Sequence, residues 1–523
     1  MKPQDGAPKV TYSTFADNED LHRSFETASQ QVRHWFGATH PLLIGGREVD
    51  CADKFEDTNP ADIRQQLGRF GRGGPQAVEA AVGAAAAAFP AWSRLDYRAR
   101  IELLRRGAEK ISERRFELAA LMSYEVGKNR AEALGDAEES ADLLRYYCNQ
   151  MAEAQGFTRT LDRLSANEET LSVLRPYGVW GVIAPFNFPL ALSAGMSAGA
   201  LVAGNTVVFK PASDAPFTGL MLGRILQQAG LADGVFNVVT GSAAEVGDPL
   251  IDHPKLAGLV FTGSFEVGTA LQRRFTAGGP KPCILEMGGK NAAIVTAQAD
   301  LERAVEGIAR SAFGYGGQKC SACSRAFVAR ERYDEFVERL AQYARSLSIG
   351  DPLERATFLG PLIHRAAVDK YRAAVDQARR DGRIVVGGEV LDSEPFRHGH
   401  FVTPTVVDQL AADHRLFQEE LFVPLLCVAP VADLNQAIER TNRSAYGLTA
   451  GVYSQDEREV REFFDRVEAG VTYANRRSGA TTGAWPGVNS FCGWKGSGNS
   501  GKGACGPHYV AQFLREQSRT WMH

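Results

Sequence analysis

Cysteine is scarce in this sequence, with eight in 523 residues. That is too sparse for a disulfide scaffold and leads us to expect a reducing cytoplasm. An excess of one charge is missing too. Basic residues number 58 and acidic residues 62, for a formal net charge of −4. Nothing in that balance favours a nucleic acid or an anionic membrane as partner. The opening MKPQDGAPKVTYS has no apolar centre, so no signal peptide is expected. What is present is an ordinary globular composition, 44% hydrophobic and 23% charged. At about 100–200 residues per domain, the length suggests roughly two to four domains.

Long uncharged runs are also rare, and the stretch between Arg175 and Lys210 stands out. It reads PYGVWGVIAPFNFPLALSAGMSAGALVAGNTVVF, long enough to raise the question of a membrane span. A helix through PFNFP would lose backbone hydrogen bonds that lipid cannot replace. The expected reading is three buried elements: a strand near 179–184, a helix of small residues, and a strand near 206–209. Residues 76–121 carry two long helical patterns, and 136–151 another. Residues 158–175 alternate as a solvent-facing hairpin would. From Val179 to Glu286, and again from Phe327 to Tyr453, strands alternate with helices, which predicts α/β units around parallel sheets.

Four constellations carry chemistry. In Gly316-Gly317-Gln318-Lys319-Cys320-Ser321 a cysteine follows a glycine-rich turn beside a lysine. Placed near a helix start, that thiol would have a lowered pKa and act as a nucleophile. A lone cysteine is as readily a small buried hydrophobe. Cys320 and Cys323 form a CxxC, but no second pair or neighbouring histidines complete a zinc site, so no metal is expected. In Leu285-Glu286-Met287-Gly288-Gly289, a carboxylate ends an apolar strand, a place for a general base and equally for a turn residue. In Pro185-Phe186-Asn187-Phe188-Pro189 a stiffly held amide can donate to a developing oxyanion. Phe261-Thr262-Gly263-Ser264-Phe265 follows a strand and opens a helix, a geometry that receives anions. Lys210, ending VVFK, suits ribose hydroxyls or a phosphate, although alone it reads as a solvated strand end. Gly496–Gly503 nearly spells a phosphate-binding loop, but Gly503 stands where the magnesium-ligating hydroxyl belongs.

Together these pieces resemble the aldehyde dehydrogenase superfamily, through PFNFP, VVFKP, FTGSFEVG, LEMGGKN, GQKC and EELFVP, over roughly residues 40–515. The resemblance implies Cys320 as nucleophile, Glu286 as general base and Asn187 as oxyanion donor. It implies an NAD site from Ile183, Pro185, Phe186, Lys210, Ser213, Gly263, Ser264, Gly288, Glu420 and Phe422. It also implies an α/β fold, with a Rossmann-like cofactor domain (41–157 and 176–286) after an N-terminal segment (1–40). A catalytic domain (287–475) and a small β oligomerisation element (158–175 and 500–523) complete it, as a homodimer or an assembly of dimers.

GQKCSACSR, Thr482-Gly483-Ala484 and Phe491 are similar, more narrowly, to the 1-pyrroline-5-carboxylate dehydrogenases. These oxidise glutamate γ-semialdehyde to glutamate in proline breakdown. The similarity implies Glu139, Lys319, Ser321, Gly483, Ala484 and Phe491 as contacts of the amino-acid end of the substrate. Ser490-Phe491-Cys492-Gly493-Trp494 replaces the family's usual Pro-Phe-Gly-Gly, and Trp485 is bulky beside Ala484. These departures keep another polar or aromatic aldehyde open as the alternative substrate. Ser213 stands where NAD-selective relatives often carry Glu, which admits NADP⁺ as well. A catalytically silent protein on the same fold is the alternative of another class, and intact Cys320, Glu286 and Asn187 argue against it.

Overall fold

The computed structural model describes residues 11, 18–477 and 484–523. Two seven-stranded sheets dominate it. The first runs in the order Cys283–Glu286, Leu256–Thr262, Val179–Ile183, Thr206–Lys210, Phe236–Val238, Leu42–Ile44 and Arg47–Val49. Its first five strands are parallel and the last two antiparallel. The second runs Arg383–Val386, Thr405–Asp408, Leu425–Val431, Cys323–Ala329, Asn291–Val295, Thr449–Tyr453 and Val471–Ala474. It is parallel except for its first pair.

Helices cover both faces, so the central strands Thr206–Lys210 and Asn291–Val295 are buried throughout. That is why they read as unbroken apolar runs rather than alternating ones. The long uncharged stretch resolves into the strand Val179–Ile183, the helix Ala191–Val202 and the strand Thr206–Lys210. Twelve helical residues rise only about 18 Å, short of a hydrocarbon core of about 30 Å. No helix among the described residues is long and apolar enough to cross a membrane.

Three differences from the sequence reading stand out. Residues 76–121 hold parts of three helices rather than two, Pro75–Arg94, Tyr97–Glu113 and Arg115–Val126. Asp96, an N-cap accepting from the Arg98 N–H, restarts the chain after the first. The next helix begins earlier than its pattern suggested, at Arg130, because Asn129 caps it through the Glu132 N–H. A third sheet, Thr39–His40, Asp62–Gly71 and Lys54–Asn59, lies near the N-terminus. The helix Glu19–Val32 before it sinks Phe25, Ala28 and Val32 into the core shared by the first sheet and its helices.

The strand Glu168–Pro176 pairs along its length with Leu514–Met522 and over a shorter span with Thr158–Thr160. The ribbon's end is largely exposed, with Trp521 at 67% and Leu164 at 98%.

Candidate active site

Residues 287–290 join the last strand of the first sheet to the strand Asn291–Val295 of the second, so the two sheets meet next to Glu286. In the first sheet, Ile183 lies level with Lys210 and Phe261, and Thr262 lies level with Glu286. Three candidate positions, Ile183, Lys210 and Glu286, therefore share the C-terminal edge of one parallel sheet, where open α/β folds bind ligands.

Cys320 arrives there on a strained turn. The helix Leu301–Phe313 stops, and Tyr315 and Gly316 take positive φ of 53° and 63°. Gly317 follows at +67°, where a Cβ would lie 2.6 Å from the Val423 carbonyl, so only glycine fits. Tyr315 is held in its strained conformation by its hydroxyl, which donates to the Val126 carbonyl at 2.7 Å. The buried Gln318 accepts from the Ile363 N–H at 2.9 Å and donates to the Pro361 carbonyl. The Asn291 amide donates to the carbonyls of Cys320 (2.7 Å) and Ala322 (2.9 Å). Its oxygen accepts from the Thr449 N–H. Asn291 thus staples the cysteine turn to the second sheet.

The thiol departs from expectation. Cys320 follows a 3₁₀ turn and precedes a strand, so no helix start is available to stabilise a thiolate. Burial, with Glu420 and Glu286 nearby, pushes its pKa up to about 12. The lysine beside it in sequence turns elsewhere: Lys319 Nζ meets Glu132 Oε1 at 2.5 Å, both side chains largely buried. At neutral pH the Cys320 side chain is therefore a thiol rather than a thiolate.

Glu286 ends the strand Cys283–Glu286. Its carboxylate accepts the Gly493 N–H at 3.2 Å, and burial holds its pKa well above the usual carboxylate range. The glycine-rich segment that mimics a phosphate loop lies along its strand instead. Ser497 exchanges hydrogen bonds with Met287 N–H and the Gly288 carbonyl. Asn499 spans the Leu285 N–H and the Cys283 carbonyl. The strap runs along the outer edge of the sheet and holds the strand that ends in Glu286.

Asn187 is buried in the loop between Val179–Ile183 and Ala191–Val202. Its neighbour Phe186, after Pro185, meets Phe422 edge to face at 6.0 Å. Phe422 itself sits at φ +60°. Glu420 accepts the Gly289 N–H at 2.9 Å, and a Cβ on Gly288 would strike its carboxylate. Its pKa is raised to about 7 by burial. Across the edge, the buried Lys210 donates to the Pro211 carbonyl at 3.1 Å, and burial lowers its pKa to about 8. Ser213 donates to the Gly241 carbonyl. Ser264, after Gly263, caps the helix Phe265–Thr276. A buried ammonium and a helix N-terminus at the edge of the first sheet, with a carboxylate brought in by the segment before Leu425–Val431, form a set suited to a dinucleotide, with the ends for diols and the helix for phosphates.

On the opposite side, Lys319 and Ser321 are buried, and Ala484 and Phe491 are half-buried. Gly483 lies outside the described residues. Glu139 lies near the Cys505 thiol at 4.0 Å, whereas the carboxylate on Lys319 is Glu132, which the sequence reading passed over. Trp485 is anchored: its indole N–H donates to Asp142 at 2.8 Å on the helix Arg130–Glu153. Among the described residues no cluster could hold a metal ion.

The aldehyde dehydrogenase family profile matches residues 48–518. This chain belongs to the aldehyde dehydrogenase family. Among relatives of this aldehyde dehydrogenase, a 1-pyrroline-5-carboxylate dehydrogenase from Geobacillus sp. is 37% identical over 507 residues, 96% of each chain. The 1-pyrroline-5-carboxylate dehydrogenase 2 of Bacillus subtilis is 37% identical over 97% of each chain. The crystal structure of 1-pyrroline-5-carboxylate dehydrogenase from Thermus with bound NAD covers 100% of both chains at 35% identity, with a TM-score of 0.93.

Proposed function

We propose that this aldehyde dehydrogenase oxidises L-glutamate γ-semialdehyde, the open form of 1-pyrroline-5-carboxylate, to L-glutamate with NAD⁺. The observation that carries this reading is Lys319, a buried cation one residue from the nucleophile and turned away from the thiol. With Ser321, the backbone N–H groups near Ala484 and the ring of Phe491, it suits the carboxylate of an amino-acid aldehyde. Glu132, with Glu139 further along the same helix, suits its ammonium. The relatives' names support the same substrate.

In this reading Glu286 takes the Cys320 proton as sulfur bonds to the aldehyde carbon. The oxyanion so formed is received by the Asn187 amide and the Cys320 N–H. NAD⁺, held by Lys210, Ser264, Glu420 and the rim of Ile183, Pro185, Phe186, Ser213, Gly263, Gly288 and Phe422, supplies a hydride acceptor. Loss of hydride leaves a thioester on Cys320. Glu286, once it has passed the thiol proton to solvent, takes a proton from water as the water oxygen attacks the thioester carbon and the C–S bond breaks, releasing the acid and the thiolate. Ser213 itself places no carboxylate against a 2′-phosphate, so NADP⁺ is a second acceptor in this reading.

We assign cofactor binding to residues 41–157 and 176–286, the nucleophile to 287–475, and assembly into dimers to 158–175 and 500–523. An exposed ribbon gains by pairing with a second copy. The eight free cysteines suit the cytoplasm.

Lys319→Met tests the substrate assignment. We expect KM for glutamate γ-semialdehyde to rise about tenfold or more, the loss of one charge-assisted contact, with propanal oxidation nearly unchanged. Equal loss on both aldehydes would place Lys319 in scaffolding and sink the assignment.

A further inference from the structure

A buried ion pair lies behind the site, outside the groups that the chemistry uses. Lys128 Nζ meets Asp136 Oδ2 at 2.7 Å, and both side chains are fully buried. The other Asp136 oxygen accepts the Ala191 N–H at 2.7 Å. Ala191 opens the helix that follows PFNFP, so this bond fixes where the Asn187 loop ends. The Lys128 ammonium also lies 3.7 Å from the centre of the Phe188 ring, next to Asn187, and 5.2 Å from that of Tyr315. Tyr315 is the strained first step of the turn that delivers Cys320. One ammonium therefore touches a carboxylate, the oxyanion loop and the nucleophile turn.

We propose that Lys128 and Asp136 are a positioning pair, which sets the Asn187 loop in register with the Cys320 turn. The proposal rests on the roles given above to those two residues. Stability is a poor reason for such a pair, since well-packed apolar replacements of buried ion pairs are often neutral or stabilising. Direction is a better one. The aspartate holds one backbone N–H while the ammonium is confined between two aromatic faces, so the two loops share one origin. An oxyanion donor displaced by a fraction of an ångström loses most of its effect.

The test uses the full-length enzyme with Lys128→Met, Asp136→Asn and the doubly neutral Lys128→Met/Asp136→Leu, which leaves no lone buried charge. Single-turnover NADH formation is expected to slow about tenfold to a hundredfold, with KM within about twofold of the parent. In an Asn187→Ala background, adding Lys128→Met should lower the rate by less than about twofold, because the shared route is already broken. Undiminished single-turnover rates in the variants would overturn the proposal. So would losses that multiply in the Asn187→Ala background, the mark of a merely structural role. An Asn187→Ala enzyme that keeps the parent rate would instead remove the oxyanion reading itself, and the pair's role with it.

Discussion

Cys320 shows how far a local sequence pattern reaches. Its position in a glycine-rich turn was legible, and its ionisation was not. The adjacent Lys319 suggested a lowered pKa, but that side chain pairs with Glu132 far along the chain. Burial, followed by the nearby Glu420 and Glu286, pushes the other way, to about 12. A thiol raised this far is protonated at neutral pH, and its thiolate fraction grows about tenfold per pH unit. We therefore expect iodoacetamide alkylation of Cys320 in the cofactor-free enzyme to accelerate about a hundredfold from pH 7 to pH 9, followed by peptide mass. A plateau below pH 8 would show an activated resting thiolate. Glu286→Gln should lower kcat by about a hundredfold or more, with acyl-enzyme accumulating when the reaction is quenched. Free turnover without such accumulation would assign the base elsewhere.

Among the elements, those with a strong local pattern were legible: the buried strands, the helix Tyr333–Ser346, and the ribbon strands near 158–176. The supports of the site were not. Asn291 acts on Cys320 through a side chain 29 residues away in sequence, and Ser497 and Asn499 act on the Glu286 strand from more than 200 residues away. Such contacts leave no periodicity for a single sequence to display. The strap even imitated a different motif. Gly317→Ala is the sharpest probe of the nucleophile turn, since its Cβ would collide with the Val423 carbonyl. We expect activity to fall about tenfold or more, with strain of about 1–3 kcal/mol in the turn. Activity and denaturation midpoint both unchanged would mean that the turn is not held as described.

At the scale of the whole molecule, the two sheets are joined through residues 287–290, directly after Glu286, and the proposed base, nucleophile and oxyanion donor come from separate stretches of chain. The family of the chain was legible because those stretches keep their motifs in order. In the ribbon, Glu168–Pro176 pairs along its length with Leu514–Met522, so a truncation there would remove that partner strand. On the proposed role of the ribbon in assembly, the parent should sediment as a dimer or larger and a chain lacking residues 514–523 as a monomer. A parent and a truncated chain of the same assembly state would contradict that role. The central claim, an amino-acid aldehyde held on Lys319 and Ser321, is tested most directly by one comparison of kcat/KM. Glutamate γ-semialdehyde is measured beside succinic semialdehyde, propanal and hexanal with NAD⁺. The account predicts that glutamate γ-semialdehyde leads by about tenfold or more, as a charge-assisted anchor requires. Higher values for the plain aldehydes would contradict it.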